Sequence, residues 1–270
     1  MKRAAIQAHI KEKSSVLCVG LDSDFQRLPA HLRHESAAQY TFNKAIIDAT
    51  HPYAVAYKIN TAFYESQGIS GWQALEKTAR YLKENYPQHF LIADAKRGDI
   101  GNTSRHYAKA FLENMPFDAI TVAPYMGSDS VLPFYEYTDK WVILLALTSN
   151  AGATDLQHLP VSENQKLYQT TINKALEWGT TSNTMLVIGA TQAEFLHKIR
   201  QQAPRTFFLV PGVGAQGGDL KAVLENGLGE DKALLINSSR GIIFKSAADN
   251  YAEMAAQEAA HLQAQMTAFL

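Results

Sequence analysis

The chain has 270 residues, of which 46% are hydrophobic and 19% are charged, and its formal net charge is -1. This composition is typical of a globular protein with a substantial core, and without a general basic field nucleic acid is not expected as a partner. The single cysteine, Cys18, excludes a disulfide framework and a cysteine metal cluster, and the nine histidines lack metal-ligand spacing. The chain also lacks both a ~20-residue apolar stretch and an apolar signal core, so we expect a cytoplasmic protein without membrane contact.

Apolar runs and helical patterns alternate eight times along the chain. The predicted strands are residues 15–21, 53–59, 118–123, 141–147, 183–188, 207–210 and 233–236, and the run that begins at Phe90. The predicted helices are residues 36–50, 71–86, 102–114, 127–137, about 162–178, 191–200, a short helix after Asp219, and about 246–270. Near-continuous apolar strands are typical of a parallel sheet buried on both faces. The pattern predicts one (β/α)₈ TIM barrel across residues 1–270, with a doubly wound open sheet as the alternative.

Residues 90–100 carry the strongest functional signal. An apolar run there ends in four charged residues, Asp94, Lys96, Arg97 and Asp99. Residues two apart in a strand share a face, so Asp94 and Lys96 are expected side by side at the strand's carboxyl end. Charges at the end of a buried strand are costly unless they are paired or used. One such pair would suggest a structural salt bridge, whereas four charges in six residues indicate a site.

Polar residues also follow other predicted strands. Asp22 follows the first strand, Lys58 lies near the end of the second, Ser149 and Asn150 follow the fifth, and Arg240 follows the eighth. Each alone could be a turn residue or a residue at the rim. In a (β/α)₈ barrel, however, all the carboxyl ends of the strands open onto one face, where catalytic groups lie.

A glycine-rich loop follows the seventh predicted strand. Residues 212–217 read Gly-Val-Gly-Ala-Gln-Gly and match the dinucleotide-binding pattern Gly-x-Gly-x-x-Gly. The next strand ends in Asn237 rather than in an acidic residue that would hold a ribose diol, so we reject a nicotinamide site. Such a loop still suits a small phosphorylated ligand, because its backbone N–H groups form an anion cradle. The predicted phosphate ligands are Gly214, Gly217, Gly218 and the guanidinium of Arg240.

An alternating array of lysines and carboxylates suits the stabilisation and protonation of a carbanion. A lysine ammonium can oppose developing negative charge and then deliver a proton, while neighbouring carboxylates keep it charged. These residues predict a metal-free lyase or isomerase acting on a phosphorylated substrate. A Schiff-base aldolase using Lys58 or Lys96 is a competing interpretation, although it would require a lysine whose charge is destabilised.

Several separated motifs resemble the orotidine 5'-phosphate decarboxylase family, and most closely its bacterial (type 2) subgroup with Asp-Ala-Lys-Arg-Gly-Asp-Ile. The family's Asp-x-Lys-x-x-Asp core matches Asp94, Lys96 and Asp99, and its upstream lysine matches Lys58 in Tyr-Lys-Ile-Asn. Its phosphate loop, Pro-Gly-Val-Gly-Ala-Gln-Gly-Gly, matches residues 211–218 without a change. The resemblance covers nearly the whole chain.

The resemblance implies conversion of orotidine 5'-monophosphate to UMP and CO₂, the last step of pyrimidine nucleotide synthesis, without a cofactor or a metal. It implies a homodimer with two shared sites. Lys96 would protonate C6 after CO₂ departs, Asp94 would lie near the departing carboxylate, and Lys58 would bridge Asp94 and the ribose hydroxyls. The further implied roles are Asp99 and Thr103 at the neighbouring subunit's site, Asp22 at the ribose, Ser149 at the pyrimidine ring, and Gln216 and Arg240 at the phosphate.

Other functions stay open at this stage. Metal-dependent decarboxylases of sugar phosphates share the Asp-x-Lys-x-x-Asp core but are expected to carry an acidic residue in place of Lys58. A phosphate-sensing barrel that binds a nucleotide without catalysis would be expected to lack the charged array. Segments 23–35 and 149–161 are longer than in compact members of the family, and the sequence does not assign them a role as lids.

Overall fold

Eight parallel strands close into a barrel at the centre of the computed structural model, which describes residues 1–190, 193–213 and 218–270. The barrel strands are β1 (Leu17–Gly20), β2 (Ala56–Asn60), β3 (Phe90–Arg97), β4 (Ala119–Val122), β5 (Trp141–Leu147), β6 (Thr184–Ile188), β7 (Phe207–Pro211) and β8 (Leu234–Ser238). Each strand pairs with its neighbours in the chain, and β1 closes the barrel on β8 through the register Leu17 to Ile236. The predicted (β/α)₈ barrel is confirmed, and the open-sheet alternative is wrong because no edge between β1 and β8 is left unpaired.

Helices surround the barrel. Within the described residues they are Arg3–Lys13, Ala38–Thr50, Ala62–Glu65, Gly68–Asn85, Gly101–Lys109, Ser128–Tyr135, Ala153–Leu156, Leu167–Trp178, Ala193–Gln202, Leu220–Gly227, Arg240–Ile243 and Tyr251–Thr267. None of these described helices combines the length and the apolar character needed to span a bilayer. All the predicted helices are present with shifted ends, and the predicted start of one at residue 191 lies outside the described residues.

The strands read as continuous apolar runs because both of their faces are buried. The inner face fills the barrel and the outer face packs against the helices. Aromatic rings from alternate strands fill the amino-terminal end of the barrel, where Trp141 lies between Phe90 and Phe207 with ring centroids 6.0 and 5.8 Å away. This packed layer leaves the opposite, carboxyl end of the strands as the place for a cavity.

The helix Arg3–Lys13 covers the amino-terminal end of the barrel and was not predicted. Its residues Ile6 and Ile10 are buried, and the Arg3 guanidinium lies 4.9 Å from the Phe207 ring centroid. The Trp141 indole N–H donates to the carbonyl of Met1 at 2.7 Å. The helix therefore seals the end of the barrel that lies opposite the polar strand ends.

The segment after β5 contains structure that the sequence pattern did not predict. A helical turn, Ala153–Leu156, precedes a small antiparallel hairpin of Pro160–Ser162 and Gln165–Lys166. The following helix therefore begins at Leu167, later than the predicted start near residue 162. Its first turn is fixed by the Gln169 side chain, which accepts the Lys166 N–H at 2.9 Å.

His89 makes the stability of this fold sensitive to acid. Its ring is buried just before β3, and burial lowers the pKa of His89 to about 4. The unfolded chain binds a proton near the ordinary pKa of 6.5, so protonation favours unfolding below that value. We expect the contribution of His89 to the free energy of unfolding to be constant above pH 6.5 and to fall by up to about 3 kcal/mol as the pH drops to 4. Urea unfolding at several pH values measures this effect.

The matched control for this prediction is the exposed His34. Replacement of His89 by glutamine should reduce the loss of stability between pH 6.5 and 4, whereas replacement of His34 by glutamine should leave it as in the parent chain. Equal slopes for the parent chain and the His89 variant would contradict the assignment of the proton uptake to His89.

Candidate active site

A cavity of about 610 Å³ opens at the carboxyl ends of the barrel strands. Most of the described residues that the sequence marked as functional line this cavity. They are Asp22, Lys58, Asp94, Lys96, Ser149, Asn150 and Arg240. The barrel brings them together because parallel strands deliver their carboxyl ends to one face.

Four charged side chains form a continuous array on the floor of the cavity. The Lys58 ammonium donates to Asp22 Oδ1 at 3.1 Å and to Asp94 Oδ2 at 3.0 Å. The Lys96 ammonium donates to the other oxygen of Asp94, Oδ1, at 2.6 Å. Positive and negative charges therefore alternate in the order Asp22, Lys58, Asp94 and Lys96, and each carboxylate has an ammonium partner.

The array keeps its inner members ionised despite their burial. Burial alone would lower the pKa of Lys58, but Asp22 and Asp94 outweigh it and raise that pKa. Burial alone would likewise raise the pKa of Asp94, but the ammonium groups of Lys58 and Lys96 outweigh it and hold that pKa well below its usual range. Within the described residues, no three His, Cys, Asp or Glu side chains are grouped as metal ligands would be.

The two lysines differ in their access to the cavity. The side chain of Lys58 is 5% exposed and is enclosed between two carboxylates. The side chain of Lys96 is 48% exposed and has Asp94 as its one ion-pair partner within the described residues. Lys96 is therefore the more accessible of the two lysines to a molecule in the cavity.

A bulge in β3 presents Lys96 to the cavity. Ala93 pairs with Ile120, but the next pair joins Arg97 to Val122, so three residues of β3 face the single residue Thr121. Within the bulge Lys96 has a positive φ of 47°, which is uncommon for a residue with a side chain. The bulge breaks the regular alternation of the strand and re-aims the Lys96 side chain.

Arg97 and Gly98, which follow Lys96 in the motif, do not line the cavity. The Arg97 guanidinium contacts the carboxylate of Glu65 and lies 5.4 Å from the ring centroid of Tyr107. Gly98 is needed for close packing, because a Cβ there would lie 2.9 Å from the carbonyl oxygen of Ala123. These two residues anchor the strand end that carries the site.

Asp99 and Thr103 do not line the cavity of their own chain. The Asp99 carboxylate accepts the N–H of Ile100 at 2.7 Å, and Ser104 Oγ donates to the Asp99 carbonyl at 2.6 Å. Thr103 is exposed on the helix that begins at Gly101. Their predicted action at a neighbouring subunit's site stays a prediction.

The predicted phosphate loop is described only at its two ends. Gly212 has a φ of 98°, which favours glycine, and the Gly218 N–H donates to the Gly212 carbonyl at 3.2 Å. A Cβ at Gly218 would lie 2.5 Å from Cβ of Ala190, so glycine is required for this close approach. Arg240 begins the short helix after β8 and lines the cavity. The predicted ligands Gly214, Gln216 and Gly217 lie outside the described residues.

Ser149 has a buried hydroxyl without a hydrogen-bond partner among the described residues. It packs against Gly189, where a Cβ would lie 2.1 Å from Ser149 Oγ. Gln157 holds the neighbouring Thr148, accepting its N–H at 2.8 Å and donating to its Oγ1 at 2.8 Å. The segment after β5 is thereby fixed where Ser149 meets the cavity.

Sequence reasoning did not identify about half of the cavity lining. The lining residues that it missed include Asn60, Phe63, Thr121, Leu145, Thr148, Val187, Leu209 and Ser239, and it mentioned Asn237 only to reject a nicotinamide site. Asn60 could have been found from its spacing, because it lies two residues after Lys58 and shares its strand face. The apolar members have no such signal, because they read like any other buried strand residue.

The sequence is similar to known proteins along nearly its whole length. A family model described as orotidine 5'-phosphate decarboxylase / HUMPS family matches residues 15–264. An orotidine 5'-phosphate decarboxylase from Phocaeicola vulgatus is 52% identical over 266 residues, covering 98% of each chain. A protein of the same name from Christiangramia forsetii is 54% identical over 270 residues, covering 100% of this chain and 99% of its own.

A solved structure shares both the fold and much of the sequence. UMP synthase from Leishmania donovani superposes with a TM-score of 0.83 at 40% identity, and the match covers 97% of this chain and 56% of that longer chain. The family match and the two relatives each extend over nearly the whole chain. The chain therefore belongs to the orotidine 5'-phosphate decarboxylase / HUMPS family.

Proposed function

We propose that this protein is an orotidine 5'-phosphate decarboxylase, a carboxy-lyase that converts orotidine 5'-monophosphate to UMP and CO₂ in pyrimidine nucleotide synthesis. The observation that carries the proposal is the alternating array of Asp22, Lys58, Asp94 and Lys96 on the floor of the cavity. The names of the full-length relatives support the same activity.

The chemistry follows from the order of the charges. The bond between C6 and the carboxylate breaks, CO₂ leaves, and the electron pair stays on C6 as a carbanion. The Lys96 ammonium opposes that developing charge and then transfers a proton to C6, and solvent restores the proton to Lys96. Asp94 lies beside Lys96 and faces the departing carboxylate, and Lys58 holds Asp94 while reaching the ribose hydroxyls. Neither a cofactor nor a metal takes part in these steps.

The substrate is oriented by its two ends. Arg240 and the glycine-rich loop with Gln216, Gly214, Gly217 and Gly218 bind the phosphate. Asp22 binds the ribose and Ser149 binds the pyrimidine ring. The support for Ser149 is its place in the cavity lining and its buried hydroxyl, which has no hydrogen-bond partner among the described residues.

Competing enzyme chemistries fit this array less well. A Schiff base requires a neutral lysine, whereas the two neighbouring carboxylates raise the pKa of Lys58. A metal-dependent sugar-phosphate decarboxylase is expected to place an acidic residue where Lys58 stands, and here the Lys58 ammonium occupies the space between Asp22 and Asp94. The ion pairs of Lys58 with Asp22 and with Asp94 therefore favour metal-free protonation of a carbanion.

One assay tests the proposal directly. Purified protein is mixed with orotidine 5'-monophosphate in the presence of an excess of chelator, and the pyrimidine absorbance is followed. We expect conversion to UMP at the same rate with and without the chelator. Absence of conversion would refute the proposed activity, and conversion that stops in chelator would indicate the metal-dependent alternative.

We also propose that the chain acts as one barrel domain, residues 1–270, in a cytoplasmic homodimer. Large apolar side chains are exposed on the segments that follow the neighbouring strands β2, β3 and β4. They include Ile69, Trp72, Ile100, Tyr125, Met126 and Leu132, of which Tyr125 is 82% exposed. Such a patch is typical of an interface between subunits. Because Ile100 adjoins Asp99, dimerisation through this patch would bring Asp99 and Thr103 towards the partner's cavity.

Mixed dimers test the sharing of sites. A Lys96→Ala subunit paired with an Asp99→Ala subunit would form one site with both defects and one site with neither. Random pairing of equal amounts should therefore recover roughly a quarter of the parent activity, although each variant alone is nearly inactive. Coexpression followed by the decarboxylation assay measures the recovery.

The matched control pairs Lys96→Ala with Lys58→Ala. Both lysines belong to the cavity of one chain, so every site in such a dimer carries one defect and no activity should return. If the Asp99 mixture also fails to recover, the sites are self-contained and the assignment of Asp99 to the partner's site is wrong.

A further inference from the structure

Thr121 is a buried polar residue in the otherwise apolar strand β4, and it contacts both members of the Asp94–Lys96 pair. Its hydroxyl accepts the backbone N–H of Lys96 at 2.9 Å. The same hydroxyl donates to Asp94 Oδ1 at 3.0 Å. This is the oxygen that also accepts the Lys96 ammonium at 2.6 Å, so Thr121 closes a ring of hydrogen bonds around the pair.

The direction of both hydrogen bonds is fixed by their partners. A backbone N–H can only donate, and an ionised carboxylate can only accept. The pKa of Asp94 is held well below its usual range by the two lysines, so its carboxylate is ionised throughout the neutral range. The Thr121 hydroxyl must therefore accept from Lys96 and donate to Asp94, and no other orientation satisfies both groups.

The bulge in β3 explains why this hydroxyl is needed. Between the pairs Ala93–Ile120 and Arg97–Val122 the regular ladder is interrupted. The Lys96 N–H, whose residue has a positive φ, donates there to the Thr121 hydroxyl. Without this acceptor the Lys96 N–H would be left unsatisfied beside the buried Thr121, which would favour a different backbone arrangement and re-aim the lysine.

We propose that Thr121 is a positioning residue that fixes both the backbone of Lys96 and the plane of the Asp94 carboxylate, so that the Lys96 ammonium is held at the angle required for proton transfer. The inference deepens the proposed decarboxylase activity and rests on it. Thr121 acts through Asp94 and Lys96, and its contribution is to the transition state rather than to substrate affinity.

Replacement of Thr121 by valine tests this inference, because valine has nearly the same shape and lacks both hydrogen bonds. We expect kcat to fall roughly 10- to 100-fold, since small displacements of a reacting group have effects of this size. KM should change by less than about threefold, because the phosphate and ribose contacts are untouched. The serine variant keeps the hydroxyl and should restore most of the lost kcat.

The control is the same change at Thr184, a buried threonine in β6 whose hydroxyl pairs with Tyr135 at 2.8 Å. Thr184→Val should lower the thermal stability without the fall in kcat. If Thr121→Val does not fold, Thr121→Ala takes its place, with the same expected loss and the same rescue by serine. Parent-like kcat in the valine or alanine variant, no rescue by serine, or an equal loss at Thr184 would each overturn the inference.

A readout without turnover separates this inference from the proposed function. Amide hydrogen exchange at Lys96 should be slow in the parent chain and in Thr121→Ser, and faster in Thr121→Val. If the parent chain does not decarboxylate orotidine 5'-monophosphate, the proposed function fails, whereas unchanged exchange at Lys96 in Thr121→Val refutes the role of Thr121.

Discussion

Replacement of Lys96 by alanine is expected to lower kcat by roughly 10⁴-fold or more, because the change removes both the proton donor and the cation that opposes the carbanion. The fold should survive, since the Lys96 side chain is 48% exposed. Binding of UMP should weaken only slightly, because its phosphate and ribose contacts involve other residues. Steady-state kinetics and calorimetric binding of UMP measure the two quantities.

Loss of Lys96 also leaves Asp94 with fewer cationic neighbours. Lys58 still donates to Asp94 Oδ2, so the carboxylate is expected to stay ionised. The matched control is Lys109→Ala, which removes an exposed lysine paired with Glu113 at 3.7 Å on the helix after β3. Turnover should be unchanged in that variant. Substantial decarboxylation by the Lys96 variant would refute the assignment of Lys96 as proton donor.

The barrel could be predicted because its strands are buried on two faces. The run Trp-Val-Ile-Leu-Leu-Ala-Leu of β5 has the same bounds in the sequence prediction and in the structure. Strand ends shifted by a few residues elsewhere, as for β8, where Asn237 and Ser238 extend the apolar run. Polar residues at strand ends can still form backbone hydrogen bonds with the neighbouring strand. Because these bonds do not depend on the side chain, the sequence pattern does not reveal them.

Elements with weak patterns were missed. The helix Arg3–Lys13 buries only Ile6, His9 and Ile10, so its apolar stripe is narrow and its sequence resembles an exposed tail. The hairpin at residues 160–166 is exposed along its first strand and has no alternation to reveal it. The helix is fixed by contacts with distant parts of the chain, such as that between Arg3 and Phe207, rather than by local preference.

The residues of the candidate site also divide into those that the sequence predicts and those that it does not. Asp94 and Lys96 could be predicted because charges at the end of an apolar strand are conspicuous. Thr121 could not, because threonine is a common strand residue, and its role depends on a bulge in the neighbouring strand. The sequence places residues along one strand, whereas this hydrogen bond depends on the register between two strands.

Arg200 illustrates a buried charge that serves the fold rather than the site. Its guanidinium donates to the carbonyls of Gly227, Thr206 and Ala233 at 2.6, 2.6 and 2.9 Å, and it stacks 3.7 Å from the ring centroid of Phe208. Burial lowers the pKa of Arg200 to about 10, and no carboxylate accepts a hydrogen bond from it among the described residues. One side chain thus joins the ends of two helices to the starts of β7 and β8.

Replacement of Arg200 by methionine is expected to lower the free energy of unfolding by about 3–5 kcal/mol, because several buried carbonyls lose their donor at once. The lysine variant should recover only part of this loss, since a compact ammonium cannot reach carbonyls on opposite sides as the planar guanidinium does. Guanidinium chloride unfolding measures both variants. The control is Arg205→Met, which removes an exposed pairing with Asp231 and should cost less than about 1 kcal/mol. A loss at Arg200 no larger than at Arg205 would contradict this role, and so would a lysine variant as stable as the parent chain.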